Sequence, residues 1–223
     1  IIMMIMLFGM ISFVTGLQNP MGIIVKSQFG ASNLMATLGY AANFIAYAFM
    51  GIPAGFLLQR IGYKKTALAA IIVGFVGVGI QYFSGIAESF AIYLIGAFVA
   101  GFSMCMLNTV VNPMLNTLGG GGNKGNQLIQ IGGSFNSLNA TIVPVLVGYL
   151  IGSNVSTATI QDANPALFLA LGIFALAFIV LFFVNIPEPR QTVSEKTAEK
   201  NEHSALSFRH FKLGAIATDQ ITY

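Results

Sequence analysis

Six times in 223 residues the chain turns apolar for long enough to cross a bilayer. A membrane-spanning helix needs about 20 predominantly apolar residues. Runs of that kind occupy residues 1–25, Leu34–Leu58, Thr66–Phe83, Phe90–Leu118, Gln127–Ile151 and Pro165–Asn185. In hydrocarbon the backbone must satisfy its own hydrogen bonds, so runs like these are expected to span as helices. Charge is correspondingly scarce: 8% of residues are charged, against about 25% in an average soluble domain. The predicted fold class is all-α and polytopic, with six transmembrane helices. The first run is too long for a signal-peptide core and lacks a small-residue cleavage site. It starts at Ile1 without a methionine, so the natural N-terminus is expected to lie upstream.

The basic residues predict an orientation. Arg60, Lys64 and Lys65 follow the second run, Lys124 follows the fourth, and Arg190, Lys196, Lys200, Arg209 and Lys212 follow the sixth. The opposite loops hold Lys26 alone. Basic loop residues are retained in the cytoplasm, so these three loops and the N-terminal side are predicted to be cytoplasmic, in an inner or plasma membrane. Residues 186–210 read as a solvated cytoplasmic linker, and 211–223 as the stub of a seventh helix. The expected domains are therefore a six-helix bundle over 1–185, the linker and the stub. A six-helix unit followed by such a loop looks like half of a larger transporter, with its C-terminal six-helix half missing. Asn19-Pro20-Met21 in the first run recurs as Asn112-Pro113-Met114 in the fourth, as a three-plus-three inverted repeat would have it.

Neutral polar residues inside the runs are the candidates for function. Asn108, Asn112 and Asn116 fall at i, i+4 and i+8, on one helix face. Tyr40, Asn43 and Tyr47 share a face of the second run, Gln18 and Asn19 interrupt the first, and Gln130, Ser134, Asn136 and Asn139 mark the fifth. Amides carry donors and acceptors and suit hydroxyl groups, whereas a charged substrate would call for a buried counter-charge. Each amide taken alone serves equally well as interhelical glue. None of the seven acidic residues lies within the six runs, and both histidines fall at 203 and 210. That excludes an intramembrane protease chemistry and predicts no enzyme, no cofactor and no metal site. Gly119–Gly122 lacks the order of a phosphate-binding loop and reads as a turn. Cys105 has no second cysteine to pair with. Nothing points to nucleic acid; the expected partners are the lipid bilayer and a small solute.

Gly55-Phe-Leu-Leu-Gln59-Arg60-Ile-Gly62-Tyr63-Lys64-Lys65 resembles the cytoplasmic signature of the major facilitator superfamily, with Gln59 and Tyr63 where it prefers an acidic and a basic residue. Ile52-Pro53-Ala54-Gly55, Asn108-Thr-Val-Val-Asn112-Pro113 and Ser134-Phe135-Asn136-Ser137 resemble its fucose–proton symporter family, including the glucose/galactose branch. The resemblance covers residues 8–185. It implies two six-helix bundles, alternating access and transport of a monosaccharide with a coupling cation, sodium or proton. It also implies that Asn136 is the sugar-binding asparagine. Asn19 and Asn108 stand where proton-coupled members carry carboxylates. Gly133 replaces the family's glutamine, with Gln130 one turn away. Rival readings are a carrier or exporter of another neutral solute or drug, and a non-transporting six-helix scaffold. No charged ring or carbonyl filter supports a channel.

Overall fold

A single residue separates the second helix from the third. The computed structural model of the chain describes residues 2–30, 32–152 and 158–184. Among them α1 spans Ile2–Gln28, α2 Asn33–Ile61, α3 Tyr63–Ile86, α4 Phe90–Leu118, α5 Gly122–Ile151 and α6 Asn164–Phe183. Five stretches are long and apolar enough to cross a membrane, one of them the 54 residues of Asn33–Ile86. At 1.5 Å per residue a continuous helix of that length would reach about 80 Å, far beyond a hydrocarbon core of about 30 Å. Gly62 breaks it, with φ 85° and ψ 175°. Residues with a Cβ avoid that region, so the reversal depends on a glycine at this point. The described residues are all helix and connecting turn, as the apolar runs predict. The linker over 186–210 and the stub over 211–223 lie outside the described residues.

The helix ends are set locally. Ser32 caps α2, its hydroxyl oxygen accepting the Met35 amide at 3.3 Å. At the start of α6, Asp162 accepts the Thr159 amide and hydroxyl at 2.7 and 2.8 Å, and Pro165 occupies the first turn. Lys64 Nζ donates to the Phe182 carbonyl at 2.9 Å, tying the α2–α3 corner to the last turn of α6. The glycine run is shorter as a turn than its sequence suggests: α5 already begins at Gly122 and takes in Lys124 and Asn126. Pro20, Pro53, Pro113 and Pro144 all lie inside continuous helices, so they remove single backbone bonds without ending a span.

The centre of the bundle is α1. It packs against α2, α4, α5 and α6, and its length is mostly buried, including Leu7, Val14, Leu17, Met21 and Ile24. Around it α2 leans on α4, and α3 on α4 and α6. Lipid tails are as apolar as leucine, so these contacts rest on close packing rather than on expulsion of water. A Cβ on Gly101 would stand 2.7 Å from the Asn43 carbonyl oxygen, and one on Gly77 would stand 2.6 Å from the Ala100 nitrogen. Backbone meets backbone at both crossings. Of the small-residue spacings Gly51-x-x-x-Gly55, Ala70-x-x-x-Gly74, Ala97-x-x-x-Gly101 and Gly148-x-x-x-Gly152, those ending at Gly74 and Gly101 mark tight crossings. Gly51, Gly55 and Gly152 meet nothing within 4 Å. At the opposite extreme stands α5, where only Gly125, Gly132, Val143 and Val147 are buried.

Candidate functional site

The proline-bearing helices α1, α2, α4 and α5 carry all ten candidate site residues, and the structure sorts eight of them into three groups. The first lies between α2 and α4. Asn108 Nδ2 donates to the Tyr47 hydroxyl at 2.8 Å. One turn away Asn43 is buried, and its Nδ2 has no partner. The second joins α1 to α5. The Ser12 hydroxyl lies against the side-chain oxygen of Asn136 and is 3.0 Å from the Asn136 carbonyl. That contact engages the oxygen of the Asn136 amide. Asn139 faces α1 next to Gly9, where a Cβ would stand 3.5 Å from Asn139 Nδ2.

The third group is a recess between α1 and α2 of about 440 Å³, within the range of ligand pockets. Gln18, Asn19, Lys26, Asn33, Thr37 and Tyr40 line it. Gln18 is 2% exposed. Its Oε1 accepts from the Tyr93 hydroxyl at 3.2 Å, while Nε2 is buried with no partner. Asn19 and Tyr40 are exposed on the recess wall. An unpaired buried donor costs about 1–3 kcal/mol, and one beside a recess can recover that cost from a ligand's acceptor. Gln18 Nε2 and Asn43 Nδ2 are both donors of that kind.

Two candidates, Asn112 and Gln130, stand apart. Asn112 is half-buried on α4, between Asn108 and Asn116. Asn116 itself bonds Asn126 of α5 at 3.1 Å, so the asparagine face of α4 runs from a contact with α2 to a contact with α5. Gln130 is exposed with Ser134, Ser137 and Thr141 along a shallow groove on α5. The three hydroxyls donate to the carbonyls of Gln130, Gly133 and Ser137, four residues back. The corner motif is split as well: Gly62 makes the turn and Lys64 grips α6, while Gln59, Arg60 and Lys65 are exposed and Gly55 adjoins no close neighbour.

Sequence reasoning missed Ser12, Lys26, Asn33, Thr37 and Tyr93. Helical spacing carries the first two: Ser12, Asn19 and Lys26 fall seven apart on one face of α1. Asn33, Thr37 and Tyr40 follow the same rule on α2. Tyr93 left no such signal, because its bond to Gln18 spans 75 residues of chain.

A sequence profile of the Major Facilitator Superfamily matches residues 2–220. The glucose/galactose transporter of Brucella abortus biovar 1 is 30% identical over 214 residues, covering 95% of this chain and 52% of that protein. The putative glucose/galactose transporter of Helicobacter pylori J99 is 26% identical, covering 94% and 53%. The L-fucose-proton symporter of Escherichia coli K12 is 27% identical over 130 residues, covering 58% and 30%. Among solved structures, FucP in the outward conformation superposes with a TM-score of 0.68 at 17% identity, over 83% of this chain and 49% of that one. The chain thus spans about half the length of the curated relatives it matches.

Proposed function

The chain belongs to the Major Facilitator Superfamily, and we propose that it is the six-span N-terminal bundle of a carrier for a neutral monosaccharide of the fucose, glucose or galactose type. A multi-pass membrane protein of this superfamily moves solutes rather than transforming them. In the proposal a C-terminal six-helix half completes the molecule, the two halves alternate access, and the N-terminus is cytoplasmic. The two triplets of helices form an inverted repeat. The names of the Brucella, Helicobacter and Escherichia relatives support a sugar as the solute. The observation that carries the site is the buried, unpartnered Nε2 of Gln18 on the wall of a recess in the central helix. Sugar hydroxyls supply acceptors for such donors and accept further bonds from Asn136 and Asn43.

Asn19 and Asn108 bear on coupling. Neither amide takes up or releases a proton near neutral pH, so coupling is to sodium, uses a proton carried on the other half, or is absent. A carrier of another neutral solute would use the same donors, and sugar binding separates the two. In the full-length protein, Asn136→Ala removes one bond to a neutral partner, about 0.5–1.5 kcal/mol. D-galactose binding should weaken by roughly three- to tenfold on that scale, with membrane expression retained. Ser12→Ala serves as the control. If Asn136 were interhelical glue alone, both variants would lower thermal stability and leave sugar affinity where it was.

A further inference from the structure

We propose that the α1–α2 recess accepts the carboxylate of a monosaccharide acid, held by the ammonium of Lys26 while the sugar ring reaches the Gln18–Asn19 amides. The inference rests on the sugar reading of the amide site and widens its substrate class to acidic sugars. Lys26 stands two turns beyond Gln18 on the same side of α1, with Asn19, Gly22 and Ile23 between them on the recess wall. Eight residues of helix rise about 12 Å. Side chains on a helix lean toward its N-terminus, so the lysine stem covers part of that distance in the direction of Gln18. Glycine in the gap leaves the space open for a ligand.

Charge supplies the second argument. Lys26 is exposed in the last turn of α1, where its ammonium stays hydrated and can meet an incoming anion. Among the described residues no acidic side chain lines this recess, and Lys26 has no ion-pair partner. The two acidic residues at this end of the bundle are engaged elsewhere or remote: Asp162 accepts from Thr159, and Glu88 lies in the exposed α3–α4 turn. The uncharged groups also favour an anion. Gln18 Nε2 has no protein acceptor, and the Tyr40 hydroxyl on the recess wall can turn its proton toward a ligand, while the Thr37 hydroxyl donates to the Leu34 carbonyl at 2.8 Å. A donor-rich wall with one fixed cation and no carboxylate matches an oxygen-rich ligand carrying negative charge.

The test uses the full-length protein in proteoliposomes, with D-galacturonate and D-galactose as probes and acetate as the free-carboxylate control. D-galacturonate should bind and displace D-galactose. Lys26→Gln should lower the affinity ratio of galacturonate to galactose by about tenfold or more, as loss of a charge-assisted bond would. Lys26→Arg should keep most of that ratio. A ratio unmoved by Lys26→Gln would overturn the proposal, and so would displacement by acetate as strong as that by galacturonate. Galactose binding without any galacturonate binding would overturn it too, while the neutral-sugar reading stood. Lysine-dependent galacturonate binding without galactose binding would support it and sink the neutral reading.

Discussion

At the Gln81 side chain both amide atoms are fully buried in the α3–α4 crossing, and neither has a partner. Its Cγ would stand 2.7 Å from a Cβ on Gly96, so the amide is wedged where two backbones meet. Unlike Gln18, it lines no recess among those described for this bundle. Methionine has nearly the same volume and no donor to leave unpaired. Gln81→Met should therefore raise the unfolding temperature of the full-length protein, corresponding to about 1–3 kcal/mol; melting in detergent would show it. A fall instead would mean that an ordered water serves the amide. At this scale the sequence announced the residue types and hid their partners. Helical spacing placed Asn108 and Tyr47 each on a polar face. That the two faces meet in a 2.8 Å bond depends on the α2–α4 crossing, which spacing within one segment does not encode. Gln18 was legible as an interruption in an apolar run. Its division into a satisfied oxygen and an orphaned nitrogen was not, because Tyr93 comes from another helix.

Among the elements, α2 and α4 depend on Gly101. A Cβ there meets the Asn43 backbone and the Ala46 methyl, both fixed by their own helix. Gly101→Val should force the pair apart at about 1–3 kcal/mol, lower the yield of folded protein, and disturb the Tyr47–Asn108 bond one to two turns away. Lys64→Met would free the Phe182 carbonyl and remove a cation from the negative end of α6. The expected loss is about 0.3–1 kcal/mol, read as faster amide exchange confined to the last turn of α6. Before α6, the Thr159 backbone amide and then its hydroxyl hold the Asp162 carboxyl below the usual carboxylate range. A depressed carboxylate stabilises above its unfolded value of about 3.9, and that help disappears as pH falls through the folded value. The 158–163 turn should therefore loosen below about pH 4. The ratio of pepsin cleavage in the parent to that in Asp162→Asn would rise from pH 4 to 2. Element boundaries were readable to within a few residues, with α4 matching throughout. The early start of α5 was not, because Asn123, Lys124 and Asn126 read as loop and join the helix through contacts such as Asn116–Asn126.

For the molecule as a whole, the sequence carried the all-helical, multi-pass character, since apolar runs of this length have few alternatives in a bilayer. The basic loops carried an orientation that labelling can check. In a Cys105→Ala background, a cysteine replacing Lys65 should stay unreactive to an impermeant thiol reagent in intact cells, and one replacing Gln161 should react. The opposite pattern would invert the proposed topology. What the sequence could not convey is how the candidate residues divide among the α1–α2, α1–α5 and α2–α4 contacts, which only the packing around α1 decides. The reversal at Gly62 reaches beyond the finished fold. A translocon reading Asn33–Ile86 meets two apolar runs parted only by the short basic corner at residues 59–65, with little spacer in which to release the first span before receiving the second. The two would leave it together as a hairpin, with Arg60, Lys64 and Lys65 deciding where the chain doubles back. A substitution such as Gly62→Ala would then do its damage during synthesis, as chains threaded once where they should pass twice. Protein that escaped this would still hold a Cβ in a backbone region that only glycine adopts readily, and would melt below the parent.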